Sequence, residues 1–199
     1  MIGEISPLVQ GGSVKRRVIV LHAFGAVLSA GAVGLALGVL GLTITRILPE
    51  SSRTPLAVLL AASLMVAGLS DLRLIRLPQL TSDRQTPGSW LCSLGPGGAI
   101  FAWGLDLGFI LRTRIPYQSA LIFPLVGLIT GSIRDSVLVM AMYGFARGAA
   151  VVTTVLASGS RSAETCTMYE RRKETLRSFV GVLAMGLGLG MLLTAAVGS

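Results

Sequence analysis

The chain has 199 residues, of which 52% are hydrophobic and only 13% are charged, and its mean hydropathy is +0.76. Polar residues this scarce cannot cover the surface of a soluble domain, so the composition excludes a soluble globular protein. The net charge of +8 comes from bases between apolar runs, without the interleaved aromatic residues of nucleic-acid-binding surfaces. The composition predicts an all-α integral membrane protein that binds the lipid bilayer and no nucleic acid.

The chain begins with a mixed segment, residues 1–17, that we interpret as a short cytoplasmic or interfacial N-terminal segment. It ends in Lys15-Arg16-Arg17, and the apolar run behind these bases is too long for the hydrophobic region of a signal peptide. No Pro-rich or low-complexity linker follows. We therefore expect residues 1–199 to form a single polytopic membrane domain.

Four apolar runs are long enough for one bilayer crossing each. They are Val18–Ile44, Pro55–Leu72, Ser136–Ala157 and Ser178–Val197. The first and the last contain pairs of glycines four residues apart, Gly34 with Gly38 and Gly186 with Gly190. Such pairs let helix backbones approach closely in a membrane, although glycine is also tolerated in membrane helices without such contacts.

A further apolar stretch, residues 89–131, is interrupted by Arg112-Thr113-Arg114 and by Pro116. At about 1.5 Å per helical residue it is too long for one crossing and barely long enough for two. Charges beside a helix breaker are costly in a membrane unless they face protein or a cavity. The sequence predicts a broken or re-entrant helix here, giving about five transmembrane helices, or six if this element crosses twice.

Counting bases distinguishes the two threadings, because short cytoplasmic loops carry excess Lys and Arg. Two crossings of the broken run divide the bases seven against nine, which is no bias. One crossing puts eleven bases on one face and three on the other. The eleven are Lys15, Arg16, Arg17, Arg73, Arg76, Arg84, Arg161, Arg171, Arg172, Lys173 and Arg177, and the three are Arg46, Arg53 and Arg134. This count favours five crossings in the cell (inner or plasma) membrane, with a cytoplasmic N-terminus.

Polar residues at membrane depth are the candidate binding residues. Asp106 lies six residues before Arg112 and can bind a cation, relay a proton or form a structural ion pair. Tyr143 lies one helical turn from Arg147 and gives that base a polar neighbour. The complete set of predicted binding residues is Asp106, Arg112, Arg114, Pro116, Tyr117, Tyr143 and Arg147.

The two cysteines, Cys92 and Cys166, are weak redox candidates. Neither has CxxC or metal-ligand spacing, so the sequence predicts no metal site and no cofactor. In the five-crossing threading both lie on the cytoplasmic face, where they either form a redox pair or remain two unrelated reduced thiols.

Several short stretches carry a resemblance to a known family. They are Gly68-Leu69 through Leu77-Pro78, Gly104-Leu105-Asp106-Leu107-Gly108-Phe109, and Tyr143-Gly144-Phe145-Ala146-Arg147-Gly148. With the order of the apolar runs, they resemble the CcdA/DsbD transmembrane family, which passes reducing equivalents across bacterial membranes for cytochrome c biogenesis. The resemblance implies two inverted three-helix halves, each opening with a broken helix that carries a Pro-Cys pair.

Both of the family's cysteines are missing from this chain. On this resemblance the second pair corresponds to Pro116-Tyr117 and the first to Pro7-Leu8, and we expect the sequence to begin inside the family's first helix. A thiolate is the group that attacks a disulfide, and neither tyrosine nor leucine replaces it.

Two functions remain. One is a cysteine-poor, CcdA-like protein that works beside another membrane or redox subunit, a thiol-disulfide oxidoreductase if it is redox-active and otherwise not a classical enzyme. The alternative is a small-molecule or ion transporter, or a membrane-complex subunit, with its site at the broken helix.

Overall fold

A computed structural model describes residues 14–49, 53–78, 89–109, 117–158 and 162–197. Its side-chain description leaves out residues 14–16, 18, 53, 154–158, 162–173 and 195–197. The described residues are helical and include no strand. The α-helices are α1 (Val14–Ile47), α2 (Arg53–Asp71), α3 (Trp90–Gly108), α4 (Ile122–Ile129), α5 (Ile133–Ser158) and α6 (Ser162–Val197). A short 3₁₀ helix, Gln118–Leu121, leads into α4.

Four of the described helices are long and apolar enough to cross a membrane. Their apolar spans are Ile19–Ile47, Thr54–Asp71, Ile133–Thr153 and Glu174–Thr194. Each overlaps one of the four runs found by hydropathy. The prediction of an all-α, multi-pass membrane protein is therefore confirmed.

The predicted break is also present. Helix α3 ends at Gly108, and the backbone is extended at Phe109. It is extended again at Tyr117, directly before the 3₁₀ helix that begins at Gln118. A second irregularity lies near the start of α3, where Gly95 has φ +67° and Pro96 follows. Positive φ suits glycine, and proline is well tolerated in the first turn of the helix segment that follows. The described parts of the apolar stretch are therefore a kinked helix and a short helix, with extended backbone at Phe109 and at Tyr117 between them.

The chain divides into two compact units. The first contains Met1–Val33, Thr81–Arg114 and Met140–Arg171, and the second contains Gly34–Leu80, Ile115–Val139 and Arg172–Ser199. Each is described separately below. The prediction of a single membrane domain stays a prediction.

In the first unit α3 runs parallel to α1. The ring of His22 is buried and its Nδ1 lies 3.4 Å from the carbonyl oxygen of Ile100. Two turns further along both helices, a Cβ on Gly108 would lie 2.1 Å from the hydroxyl oxygen of Ser29. Residue numbers therefore increase in the same direction along both helices, as they do in a parallel pair.

Helix α5 runs antiparallel to α1 in the same unit. Gly148 packs against Ala23, with its Cβ position 3.3 Å from the Cα of Ala23, whereas Gly144 packs against Ala30. Within this unit, α3 therefore runs parallel to α1 and α5 runs antiparallel to it. Two crossings within residues 89–131 would have made α5 parallel to α1. The helix directions therefore favour one net crossing of the broken run and five crossings in all.

In the second unit α2 and α6 pack antiparallel through glycine contacts. A Cβ on Gly68 would lie 2.9 Å from the carbonyl oxygen of Gly181, and one on Gly188 would lie 2.9 Å from that of Ala61. Without side chains at these positions the two helix backbones approach closely. This contact brings the end of α2 beside the start of the apolar part of α6.

The predicted glycine pairs differ in outcome. A Cβ on Gly38 would lie 2.7 Å from the Cα of Ile133, so this glycine does allow a close helix contact, and Gly34 is buried. Gly186 and Gly190 have open space at their Cβ positions as far as the structure is described. The close contact of α6 is made instead by glycines on another face of that helix.

Candidate functional site

The C-terminal end of α3 is capped by a base from α5. The Nη1 group of Arg147 donates a hydrogen bond to the carbonyl oxygen of Leu107, at 3.0 Å, and another to the hydroxyl oxygen of Tyr143, at 3.2 Å. The last carbonyl groups of a helix lack intrahelical donors and attract cations. Arg147 and Tyr143, both predicted from the sequence, therefore come together where the broken helix stops.

The glycine-rich stretches around this cap serve helix packing. A Cβ placed on Gly104 would lie 2.3 Å from the carbonyl oxygen of His22. One placed on Gly108 would lie 2.2 Å from the carbonyl oxygen of Ala26. At Gly144 it would lie 2.5 Å from the same Ala26 oxygen. Contacts this short leave no room for a side chain. Close packing on α1 is thus a physical reason for two of the stretches that carry the family resemblance.

Asp106 lines a cavity beside the last turn of α3. The cavity has a volume of about 420 Å³, within the range of about 300–1,000 Å³ usual for small-ligand sites. Its lining residues are Ser29, Trp90, Ala102, Leu105, Asp106 and Phe109. The cavity therefore presents a carboxylate and an indole ring on a largely apolar wall.

The 3₁₀ helix that leads into α4 is capped at its N-terminal end by Asp71, which lies at the end of α2. The backbone N–H of Gln118 donates to Oδ1 of Asp71, at 2.8 Å. The backbone N–H and the hydroxyl of Ser119 both donate to Oδ2, at 2.9 Å and 2.6 Å. The first N–H groups of a helix lack internal acceptors, and a carboxylate is the acceptor that they favour. The carboxylate of Asp71 is completely buried in this arrangement.

A base from α6 completes this cluster. The Nε atom of Arg177 lies 3.9 Å from Oδ1 of Asp71, too long for a hydrogen bond, and its Nη2 donates to the carbonyl oxygen of Ser70 at 3.3 Å. Arg177 thus balances the charge of the carboxylate and satisfies a carbonyl at the end of α2. Nearby, Arg73 forms an ion pair with Glu174.

The backbone at the end of α2 is strained. Arg73 has φ +62°, the left-handed conformation that usually requires glycine. Its N–H bonds the carbonyl of Ser70, and the N–H of Leu74 bonds that of Leu69, which together form a Schellman cap. A non-glycine residue at this position costs about 1–2 kcal/mol.

The other predicted site residues are distributed as follows. Tyr117 is half-buried and extended, and it directly precedes the 3₁₀ helix in the second unit. Cys92 is a free, exposed thiol in the turn before the kink of α3. Arg112, Arg114 and Pro116 lie outside the described residues, and so does the side chain of Cys166.

Sequence reasoning missed Asp71, although one signal was present. An acidic residue at the C-terminal end of a helix is opposed by the helix dipole, so Asp71 at the end of an apolar run indicates that its carboxylate serves another element. Its partners Ser119 and Arg177 gave no comparable signal, because their contacts depend on tertiary packing. The chain matches no protein-family model, no curated protein and no solved structure.

Proposed function

We propose that the protein is a membrane transporter for a small organic cation, with its binding site in the Asp106 cavity at the broken helix. The single observation that carries this proposal is the carboxylate of Asp106 on the wall of a cavity beside the end of α3. Ionisable residues within membrane-spanning segments commonly mark ligand and ion pathways. Discontinuous helices are a common way to build transporter sites.

The chemistry of the cavity favours a cation over an anion. A carboxylate attracts positive charge, and the face of an indole ring such as Trp90 does so by cation–π interaction. The hydroxyl of Ser29 donates to the carbonyl oxygen of Ala26, at 3.3 Å, which leaves its own oxygen as an acceptor. All three groups suit a protonated amine.

The broken helix supports the proposal because other helices supply hydrogen-bond partners for the backbone groups at its two interrupted ends. Arg147 satisfies a carbonyl at one end, and Asp71 satisfies two N–H groups at the other. Backbone breaks in membranes require such partners. The break is therefore a stable part of the fold, available to shape a site.

The test is charge movement in proteoliposomes exposed to a panel of small protonated amines. We expect saturable currents for at least one amine, reduced at least tenfold in Asp106→Asn. The matched control is Asp135→Asn, because Asp135 is exposed in the first turn of α5 and is not part of the lining of the Asp106 cavity. Equal currents in wild type and Asp106→Asn, or no current with any amine, would count against cation transport.

Thiol-disulfide transfer is the second candidate, favoured by the exposed thiol of Cys92 and by the resemblance to the CcdA/DsbD family. In this mechanism Cys92 and Cys166 together lose two electrons and two protons, which reduce a disulfide on a partner protein. Cys92→Ser with Cys166→Ser would abolish reduction of that partner. Normal function of the double variant, with loss on Asp106→Asn, would eliminate this candidate.

We also propose that the protein lies in the cell (inner or plasma) membrane with its N-terminus in the cytoplasm. The distribution of bases in the five-crossing threading supports this orientation. The antiparallel direction of α5 relative to α1 supports that threading. In a Cys166→Ser background, an impermeant maleimide should label Cys92 only from the cytoplasmic side. Labelling only from the opposite side would reverse the orientation.

A further inference from the structure

A cavity of the second unit forms a groove along the side of α2. It has a volume of about 930 Å³ and runs from Thr54 and Pro55 at one end of the helix to Leu77 and Pro78 beyond the other. The span Thr54–Ala67 corresponds to about 20 Å of helix. The groove therefore follows most of one membrane-spanning helix.

Both walls of the groove are mostly apolar, and the polar residues of the lining are Thr54, Ser63 and Gln118. One wall is formed by α2, with Val58, Leu59 and Ala62, and the other by α4 and the turn before it, with Ile122 and Leu125. Even the serine on this surface, Ser63, uses its hydroxyl within its own helix by donating to the carbonyl oxygen of Leu59 at 2.7 Å. A chain without polar groups fits such a surface.

Positive charge lies next to one end of the groove. Arg76 is exposed and precedes the lining residues Leu77 and Pro78. Arg73 is nearby in the chain, but its charge is offset by the ion pair with Glu174. Because the span of α2 ends at Asp71, these bases follow the membrane-spanning part and reach headgroup level. An apolar groove with a basic end is complementary to an anionic phospholipid.

We propose that this groove binds one anionic phospholipid from the surrounding bilayer, with its acyl chains along α2 and α4 and its phosphate at Arg76. The lipid packs against α4, which follows the 3₁₀ helix whose first two residues, Gln118 and Ser119, bond Asp71. Occupancy therefore supports the short helix that follows the break. The lipid site is independent of the cation cavity, which belongs to the other unit.

The test is native mass spectrometry of the full chain released from nanodiscs of phosphatidylglycerol or phosphatidylcholine. Retention of one phosphatidylglycerol should exceed retention of phosphatidylcholine by about fivefold, the preference expected from one basic residue at a membrane surface. Arg76→Gln should remove this preference. Arg17→Gln is the matched control, since Arg17 is exposed near the start of α1, belongs to the first unit and lies far in sequence from the groove lining.

A second variant tests the groove itself. Ala62→Phe fills it, because Ala62 is an exposed residue of its lining, and should abolish retention of the lipid. Ala36→Phe adds the same ring at an exposed position of α1 outside the lining and should retain the lipid. The proposal is overturned if both lipids are retained equally, if folded Ala62→Phe still holds the lipid, or if the retained mass is a molecule other than a phospholipid.

Discussion

Replacement of Asp71 by alanine tests how the short helix after the break is held in place. The carboxylate accepts three hydrogen bonds, from the N–H of Gln118 and from the N–H and hydroxyl of Ser119. At about 0.6 kcal/mol each, the average for side-chain hydrogen bonds inside membranes, these amount to about 2 kcal/mol. Loss of one partner of a buried ion pair costs about 3–5 kcal/mol. Because the Arg177 side chain is 27% exposed and its Nε lies 3.9 Å from the carboxylate, we expect the lower end of this combined range, about 2–3 kcal/mol.

The assay is reversible unfolding in mixed micelles, with three variants compared. Asp71→Ala should lower the free energy of unfolding by the amount above, whereas Ser119→Ala, which removes the hydroxyl alone, should cost less than about 1 kcal/mol. Asp135→Ala controls for loss of an exposed carboxylate at a helix start, worth about 0.3–1 kcal/mol. If Asp71→Ala costs no more than Asp135→Ala, the proposed capping is not what stabilises this helix.

The remaining predictions concern backbone geometry and the other cap. Gly104→Ala should lower the free energy of unfolding by about 1–3 kcal/mol, because the added Cβ would overlap a carbonyl group of α1. Gly186→Ala, which adds a Cβ in open space, should be neutral or stabilising. Equal effects of the two substitutions would refute the packing argument. Arg147→Leu should accelerate amide hydrogen exchange in the last turn of α3, and unchanged exchange there would show that the cap at Leu107 is dispensable. Arg73→Gly should be more stable than Arg73→Val by at least about 1 kcal/mol, because φ is positive at this position. Thermal unfolding measures the difference, and the reverse order would contradict the proposed backbone strain at residue 73.

Much of the fold could be predicted from apolar length alone. The runs that begin at Val18, Pro55, Ser136 and Ser178 all fall on helices that can span a membrane, because a bilayer demands a long apolar stretch whatever its packing. The break near Pro116 was equally predictable, since charges and proline interrupt an otherwise apolar run. What hydropathy could not supply was the direction of neighbouring helices, which appears only in contacts such as Gly148 with Ala23.

The candidate site was less predictable. Arg147 and Tyr143 were found because they are one turn apart on one helix, so their proximity is local. Asp71 was missed because its partners lie 47 and 48 residues away along the chain. Glycine spacing also failed to identify which face of α6 is in close contact with another helix, because several glycines of α6 have similar spacing. Which of these glycines lie at the contact depends on how α6 packs against α2.

Binding at the Asp106 cavity is tested most directly by the fluorescence of Trp90, whose ring lines that cavity. Titration of the purified protein with the amine that carries the largest transport current should give a saturable change in tryptophan emission. The change should disappear in Trp90→Phe and in Asp106→Asn, and it should persist in Asp135→Asn. A saturable change that survives Asp106→Asn, or no change with an amine that the protein transports, would contradict the proposed cation site.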